Sequence, residues 1–371
     1  MVDVVVTGVL AAPGVLKVLL GEERPVPEGL PVTLPGYALC LRAQGQHPAL
    51  SLCDGATCAG FLIPSAETDL VDAISYYEEC FGRTRTSVSV FDAEGMPREA
   101  ETWASPLADG PTVDFEHWWQ QWGKVATRMA YTVAGYLGRK PAAELQNSLY
   151  SMRIHAAAWC AAQERPADPE WDLAQDVVVH AHKRAYINFF STEEMDLQFR
   201  CFDGTLSPVI NRGAALIGAA AAVLPYDVGR DAVLLTEQFR APVFIAGDRA
   251  PWLWEPPAGL IDPGETPHEA AMREAKEEAG LDVSHLEEVG SMYPSSGASS
   301  EFIHVFCGLA DFSEIVGGGG VPSEGEDLRS KVISFHELMD GVDKRTFRDM
   351  PLVTAALWLA RHRDRLRAEF G

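Results

Sequence analysis

The 371 residues carry 47% apolar and 22% charged side chains, the balance of an ordinary soluble globular protein with material for two hydrophobic cores. A formal charge of −23 sets the surface against phosphate backbones and anionic lipid, which argues against nucleic-acid and membrane-surface partners. Seven thinly spread cysteines, an odd number without zinc-finger spacing, read as reduced thiols of a cytoplasmic protein.

The chain opens with a strand over residues 2–6, the turn Thr7-Gly8 and a short helical pattern through Leu20. A proline-rich stretch, 25–35, leads to a strand near 37–42, and 57–63 reads as another. Residues 69–81 place Leu70, Ile74 and Tyr77 at helical spacing, and the alternation Ser87-Val88-Ser89-Val90 is that of a half-buried strand. These elements make a small mixed α and β domain over residues 1–106. Residues 107–170 change texture. A helix over 114–137 carries Trp118, Trp122, Val125 and Met129 as an apolar stripe of core type, and Pro141 starts a second helix through Gln163. The two are expected to form a hairpin linker, closed by the breaker at 165–169.

From 171 onward the chain is rich in strands, at 177–186, 197–202, 219–224 and 232–239, with a hairpin turn at Asp203-Gly204. The apolar run 213–224 is too short, and too rich in Ala and Gly, to span a bilayer. Residues 317–320, four glycines, read as a flexible loop, and 351–363 as a terminal amphipathic helix.

The chemistry concentrates between Gly259 and Leu281. Thr266 as N-cap, Pro267 at the first helical position and Glu269 three residues past the cap form a capping box, and Gly280 stops the helix. On the resulting helix, 267–279, Glu274, Glu277 and Glu278 gather within one turn. Arg273 and Lys276 offset that repulsion only in part. A divalent cation would relieve it, and hard oxygen donors suit Mg²⁺.

The positions Gly259, Glu265, Arg273, Glu274, Glu277, Glu278 and Gly280 reproduce the pattern Gly-x5-Glu-x7-Arg-Glu-U-x-Glu-Glu-x-Gly-U, with Ala275 at one aliphatic place. In this the chain resembles the Nudix hydrolases. Its flanks, Thr236-Glu237-Gln238-Phe239-Arg240, the lead-in from Trp252 to Gly259, and Ser299-Ser300-Glu301, are similar to the ADP-ribose pyrophosphatase subgroup. That resemblance implies a carboxyl-terminal α/β/α sandwich over 171–371 that hydrolyses the pyrophosphate bond of ADP-ribose to AMP and ribose 5-phosphate, with Mg²⁺ or Mn²⁺. It assigns Glu274, Glu278 and the Ala258 carbonyl to the metal, with Glu277 assisting, and Glu301 to the attacking water. Arg240 falls to the substrate phosphates, with Arg212 a second candidate, while Glu265 and Arg273 join loop to helix. It also implies a homodimer. Trp252, Trp254, Phe189 and Phe190 are all available to stack a purine.

Residues 1–106 resemble the γ-glutamylcyclotransferase-like fold through Thr7-Gly8-Val9-Leu10, Leu34-Pro35-Gly36-Tyr37, Ala59–Ile63 and the run from Ile74 to Glu78 followed by Arg83. Active members use a Glu at the place of Glu78 to move protons. Here Thr7 and Val9 replace the usual Tyr and Thr of the substrate loop, which favours a scaffold, regulatory or dimer-forming role. The fold class expected is therefore α+β: a mixed α/β barrel, a helical hairpin linker and a Nudix sandwich. Rival activities are hydrolysis of another nucleoside-diphosphate sugar and a cyclotransferase reaction in the barrel. A non-catalytic ADP-ribose sensor stands third, against the full set of box carboxylates.

Overall fold

The computed structural model describes residues 2–21, 24–42, 45–106, 110–313 and 327–371, so the glycine loop at 317–320 lies outside the described residues. The chain divides into two compact units, Met1–Arg212 and Gly213–Gly371.

The first unit begins with β1 (Val2–Val6) and two short helices, α1 (Gly8–Ala11) and α2 (Val15–Leu20). Strands β2 (Leu30–Arg42) and β3 (Gly45–Ala66), helix α3 (Thr68–Cys80), and strands β4 (Thr84–Phe91) and β5 (Pro97–Ala104) follow. The five strands close into a barrel in the order β1-β3-β2-β4-β5, sealed where Val4 of β1 meets Glu101 of β5 in parallel. Val32, Leu34, Leu50, Leu62, Val88, Val90 and Ala100 form one core cluster of these strands, as alternation dictates. β2 starts at Leu30, earlier than its prolines suggest. It meets β4 only at Thr33, which leaves room for Pro31 and Pro35.

Helix α4 (Phe115–Ala134) is capped by Asp114, whose carboxylate accepts the His117 N–H. Its Trp118, Met129 and Val133 join Val4, Ile63 and Ile74 in the principal core of this unit, so this helix packs on the barrel strands. The single second helix expected over 142–163 is instead two, α5 (Ala142–Gln146) and α6 (Leu149–Gln163). A tight turn, with the Ser148 N–H on the Leu145 carbonyl at 2.9 Å, re-aims the chain so that Leu145 and Met152 both enter the same core. After α7 (Leu173–Asp176), strands β6 (Val177–Ile187), β7 (Ser191–Phe199) and β8 (Ile210–Leu216) form a three-stranded sheet. β7 runs earlier than the expected 197–202 because residues 201–205 are drawn into the turn at Asp203-Gly204, closed by the Cys201 N–H on the Thr205 carbonyl at 2.7 Å.

The second unit is built on β9 (Ala219–Asp227), buried along its whole length, and β10 (Ala232–Phe239). Then come α8 (Ala241–Ile245), β11 (Trp252–Glu255), β12 (Ala258–Leu260), α9 (Pro267–Ala279), β13 (His285–Met292), β14 (Phe302–Leu309), β15 (Arg329–Ser334), α10 (Phe335–Asp343) and α11 (Met350–Phe370). The sheet runs β11-β10-β9-β14-β13, with β12 added on β9 and β15 on β10, and β9 lies parallel to β14. Its two faces follow from the period of two. Ala221, Val223 and Phe306 pack against Ala270, Ala271 and Ala275 of α9. Ala220, Ala222, Leu224, Val305 and Cys307 pack against Leu352, Ala355, Ala356 and Leu359 of α11. The result is a helix–sheet–helix sandwich. Alanines on both sides of the α9 contact let the helix approach the sheet closely, which carries its carboxylates to the edge of β12. Among the described residues no helix is long and apolar enough to cross a membrane.

Candidate active site

Helix α9 starts and stops where its local chemistry requires. Thr266 accepts the Glu269 N–H at 3.2 Å, Glu269 accepts the Thr266 N–H at 2.8 Å, and Gly280 ends the helix at φ 67°. With these ends fixed, Glu274 and Glu278 stack one turn apart on the side facing β12 and are 8% and 1% exposed. Glu277 is turned toward solvent, so the three carboxylates are not equivalent.

Glu278 is anchored by the Ala258 N–H, 3.2 Å from its Oε2. Glu274 lies against the backbone of Gly259, where a Cβ would come within 2.5 Å of its carboxyl carbon. The glycine is required here by space. Arg273 is the organising cation: it donates to Glu265 at 2.9 and 3.0 Å, to Glu274 at 2.6 Å, to Glu277 at 3.0 Å and to the Leu260 carbonyl at 3.1 Å. Its bonds to Glu265 come first among the causes that raise its pKa. Glu265 also accepts the Asp262 N–H at 3.1 Å, so loop and helix close on one guanidinium. Lys276 takes no part, because it pairs with Asp282 at 2.8 Å on the exposed side.

Arg240, at the end of β10, is held by Glu255 of β11 through Nε at 3.1 and 2.9 Å and Nη2 at 2.5 Å. Burial works to lower the guanidinium's pKa, but the bonds to Glu255 and the charges of Glu255, Glu278 and Asp349 outweigh it and raise it. Glu301 stands half-buried just ahead of β14, its N–H on Ser299 Oγ at 3.1 Å. Burial lifts its carboxyl above the usual carboxylate range, and Arg240 pulls it part of the way back.

The second unit thus brings Ala258, Gly259, Glu265, Arg273, Glu274, Glu277, Glu278 and Gly280 together, with Arg240 and Glu301 linked to them through charge. Two residues to which the sequence reading gave no role belong here. Glu255 lies within the lead-in from Trp252 to Gly259 that carries the resemblance, as its one charged residue. Asp349 looks in sequence like an ordinary cap of α11. Arg212 lies in the first unit, on β8, where it is exposed and donates to the Asn211 carbonyl at 2.7 Å. Glu78 is also in the first unit, buried and ion-paired with Arg83, which donates to the Pro48 carbonyl at 2.5 Å. Of the stacking candidates, Trp254 packs against the core beneath Arg329, whereas Trp252, Phe189 and Phe190 face solvent.

Among the described residues, no group of three or more His, Cys, Asp or Glu side chains is gathered tightly enough to hold an ion. What α9 and β12 offer is smaller: two buried carboxylates with the backbone of Ala258 beside them. Few, hard oxygen donors fit Mg²⁺, which keeps several of its own waters.

The NUDIX domain family matches residues 216–353. The ADP-ribose pyrophosphatase of Escherichia coli (strain K12) is 35% identical over 196 residues, 53% of this chain and 93% of that protein. The chain belongs to the Nudix hydrolase family. A second relative, the ADP-ribose pyrophosphatase of Haemophilus influenzae, is 36% identical over 161 residues, 43% of this chain and 74% of that protein. A GDP-mannose pyrophosphatase of Pectobacterium atrosepticum is 36% identical over 123 residues, 32% of this chain and 61% of that protein. A solved structure described as an ADP compounds hydrolase aligns at 20% identity with a TM-score of 0.41, covering 53% of this chain and 97% of that one. The Nudix match lies within the sandwich and stops short of the barrel and its helices.

Proposed function

We propose that this Nudix enzyme hydrolyses the pyrophosphate bond of ADP-ribose, releasing AMP and ribose 5-phosphate, with Mg²⁺ or Mn²⁺. The observation that carries the reading is the buried pair Glu274 and Glu278, held one turn apart under β12 with the charge of Arg240 acting on Glu278. Mg²⁺ held by Glu274, Glu278 and Ala258 would supply charge neutralisation at the phosphoryl oxygens and Lewis acidity toward water. The rest falls to the chain itself. Arg240, pre-oriented by Glu255, presents its remaining donors to the second phosphate. Glu301 accepts the proton of the attacking water, a task suited to a carboxylate whose affinity for protons is raised. Glu277 assists from the exposed side, and Arg273 with Glu265 keeps loop and helix in register.

The choice of ADP-ribose over another nucleoside-diphosphate sugar rests on the two ADP-ribose pyrophosphatase relatives. Exposed Val179, Phe199 and Phe202 around the β6–β8 sheet support a homodimer, and seven unpaired cysteines support a reducing, cytoplasmic setting. The closed barrel supports the γ-glutamylcyclotransferase-like reading of residues 1–106. Glu78, locked on Arg83 away from solvent, favours its use as a scaffold.

The test is product release from ADP-ribose, GDP-mannose and other nucleoside-diphosphate sugars with Mg²⁺, for wild type and Glu278→Gln. AMP from ADP-ribose, lost in the variant and on adding EDTA, is expected. No turnover of any compound by folded wild type would overturn the reading.

A further inference from the structure

In the first unit the lead-in to α4 runs beside β2, with the Val113 N–H on the Leu39 carbonyl at 2.9 Å and the Leu41 N–H on the Pro111 carbonyl at 3.1 Å. Between that segment, α1 and strands β2 and β3 lies an open pocket of about 720 Å³, room for a small organic molecule. Its lining is mostly apolar and includes Phe61 of β3 and Phe115 and Trp119 of α4. The two α4 rings form one wall, 5.9 Å apart between centroids. Trp119 lies along the helix over Gly123, where a Cβ would come within 2.8 Å of the indole. Gly8, at φ 53°, closes the wall from the α1 side: a Cβ there would be 3.1 Å from Leu39 and 3.9 Å from the Phe115 ring.

The charges around this pocket are of one sign. Among the described residues that line it there is no Lys, Arg or His, and the carboxylates are Asp92 and Glu116. Asp92 is committed to its own hairpin, where it accepts the Met96 N–H at 2.8 Å and Arg98 Nε at 3.1 Å. Glu116 stands exposed on the first turn of α4, with no hydrogen bond or ion pair among the described residues. The helix end does not need it, because Asp114 already accepts the His117 N–H at 3.2 Å. Glu78, paired with Arg83, does not line this pocket.

We propose that this pocket binds an organic ammonium ion with an apolar body: the body fills the space beside Phe61, and the ammonium group rests on the Phe115–Trp119 wall with Glu116 as its counter-charge. An aromatic face attracts a cation through its quadrupole, and a carboxylate beside it adds to that attraction. An anionic ligand finds no counter-charge here, and a neutral one gains nothing from Glu116. The site is separate from the Nudix carboxylates and stands whether or not the chain splits ADP-ribose.

Dansylcadaverine, dansylamide and dansylglycine carry one fluorophore on a cationic, a neutral and an anionic tail, and its emission brightens when the ring leaves water. Titrated into the full chain at neutral pH, dansylcadaverine is expected to bind at least about tenfold more tightly than either of the others. Trp119→Leu should weaken it by about fivefold or more, and Glu116→Gln by about threefold, with dansylamide unchanged in the Gln variant. Thermal midpoints check that both variants are folded, and Glu116 is exposed, so its replacement leaves the packing alone. Equal affinity for the three probes would reduce the pocket to an unselective apolar cleft and overturn the inference. No binding of dansylcadaverine by folded wild type would do the same.

A chain of charge −23 also gathers cations without any site, so the titrations are run at about 0.15 M salt, where diffuse attraction is screened. An amine held by the Nudix carboxylates instead would be lost in Glu278→Gln and indifferent to Glu116→Gln, and that pattern overturns the inference. Binding that falls in Trp119→Leu and Glu116→Gln and holds in Glu278→Gln sustains it.

Discussion

Gly259→Ala isolates the steric demand at the centre of the site. Gly259 needs no left-handed backbone, so the only change is one methyl group pressed against the Glu274 carboxyl. With its carbon 2.5 Å from the new Cβ, Oε2 at 2.9 Å and Oε1 closer still, the carboxyl must retreat by more than about 1 Å to reach ordinary van der Waals separation. It cannot simply swing away, because Arg273 holds it at 2.6 Å and the helix face there is buried. Overpacking of this kind costs about 1–3 kcal/mol of stability. A misplacement of about 1 Å at a reacting centre costs on the order of 100-fold in rate, or about 2.7 kcal/mol of activation free energy. The assay is kcat for ADP-ribose at saturating Mg²⁺, beside a urea unfolding midpoint. A folded Gly259→Ala enzyme with kcat close to wild type would refute the claim that Glu274 must lie against the bare backbone.

Arg273→Ala removes the one cation that Glu265, Glu274 and Glu277 share, and about 3 kcal/mol of unfolding free energy should go with it. Urea titration checks this, and a loss within experimental scatter would show that solvent screens the network. Glu301 must be ionised to accept a proton, and its folded-state pKa is raised, so kcat should climb with pH through a value above the usual carboxylate range. Since Arg240 is what lowers it, Arg240→Ala should move that acid limb to higher pH still; a limb that stays put would separate the two residues. In the barrel, Glu78→Gln strands Arg83 without its buried counter-charge and should destabilise the first unit by about 3–5 kcal/mol. A thermal scan showing no lowered transition would contradict that burial.

The helix that carries the site was legible because its instructions are local. Thr266, Pro267, Glu269 and Gly280 set both ends of α9 within one stretch of 15 residues, and every one of those bonds is short-range in the chain. Strands β1 and β10 were read to the residue for a similar reason, since apolar runs bounded by turn residues leave little choice. Helix 142–163 was misread because its one break signal, the turn and cap pair Asn147-Ser148, is weak beside the helical spacing on either side. The turn there lets Leu145 and Met152 both enter the core that the barrel strands and α4 provide.

For the site the same division holds. Spacing alone placed Glu274, Glu277 and Glu278 on one helix turn, yet it could not rank them. Burial did that, when alanine-lined surfaces drew α9 against the sheet and left Glu277 outside. Lys276 and Arg273 looked alike in sequence, and only the fold of the loop onto Arg273 made it the shared cation.

By itself, then, the sequence determined the catalytic helix, its caps and the family motif, because those are written in contacts between residues a few positions apart. Only the tertiary structure decided the surroundings of Arg240. Glu255 is 15 residues from it, Glu301 is 61 and Asp349 is 109. Such groups are joined by the crossing of β10, β11, β14 and α11, and the pull of each on the next depends on distance and burial that no local pattern encodes.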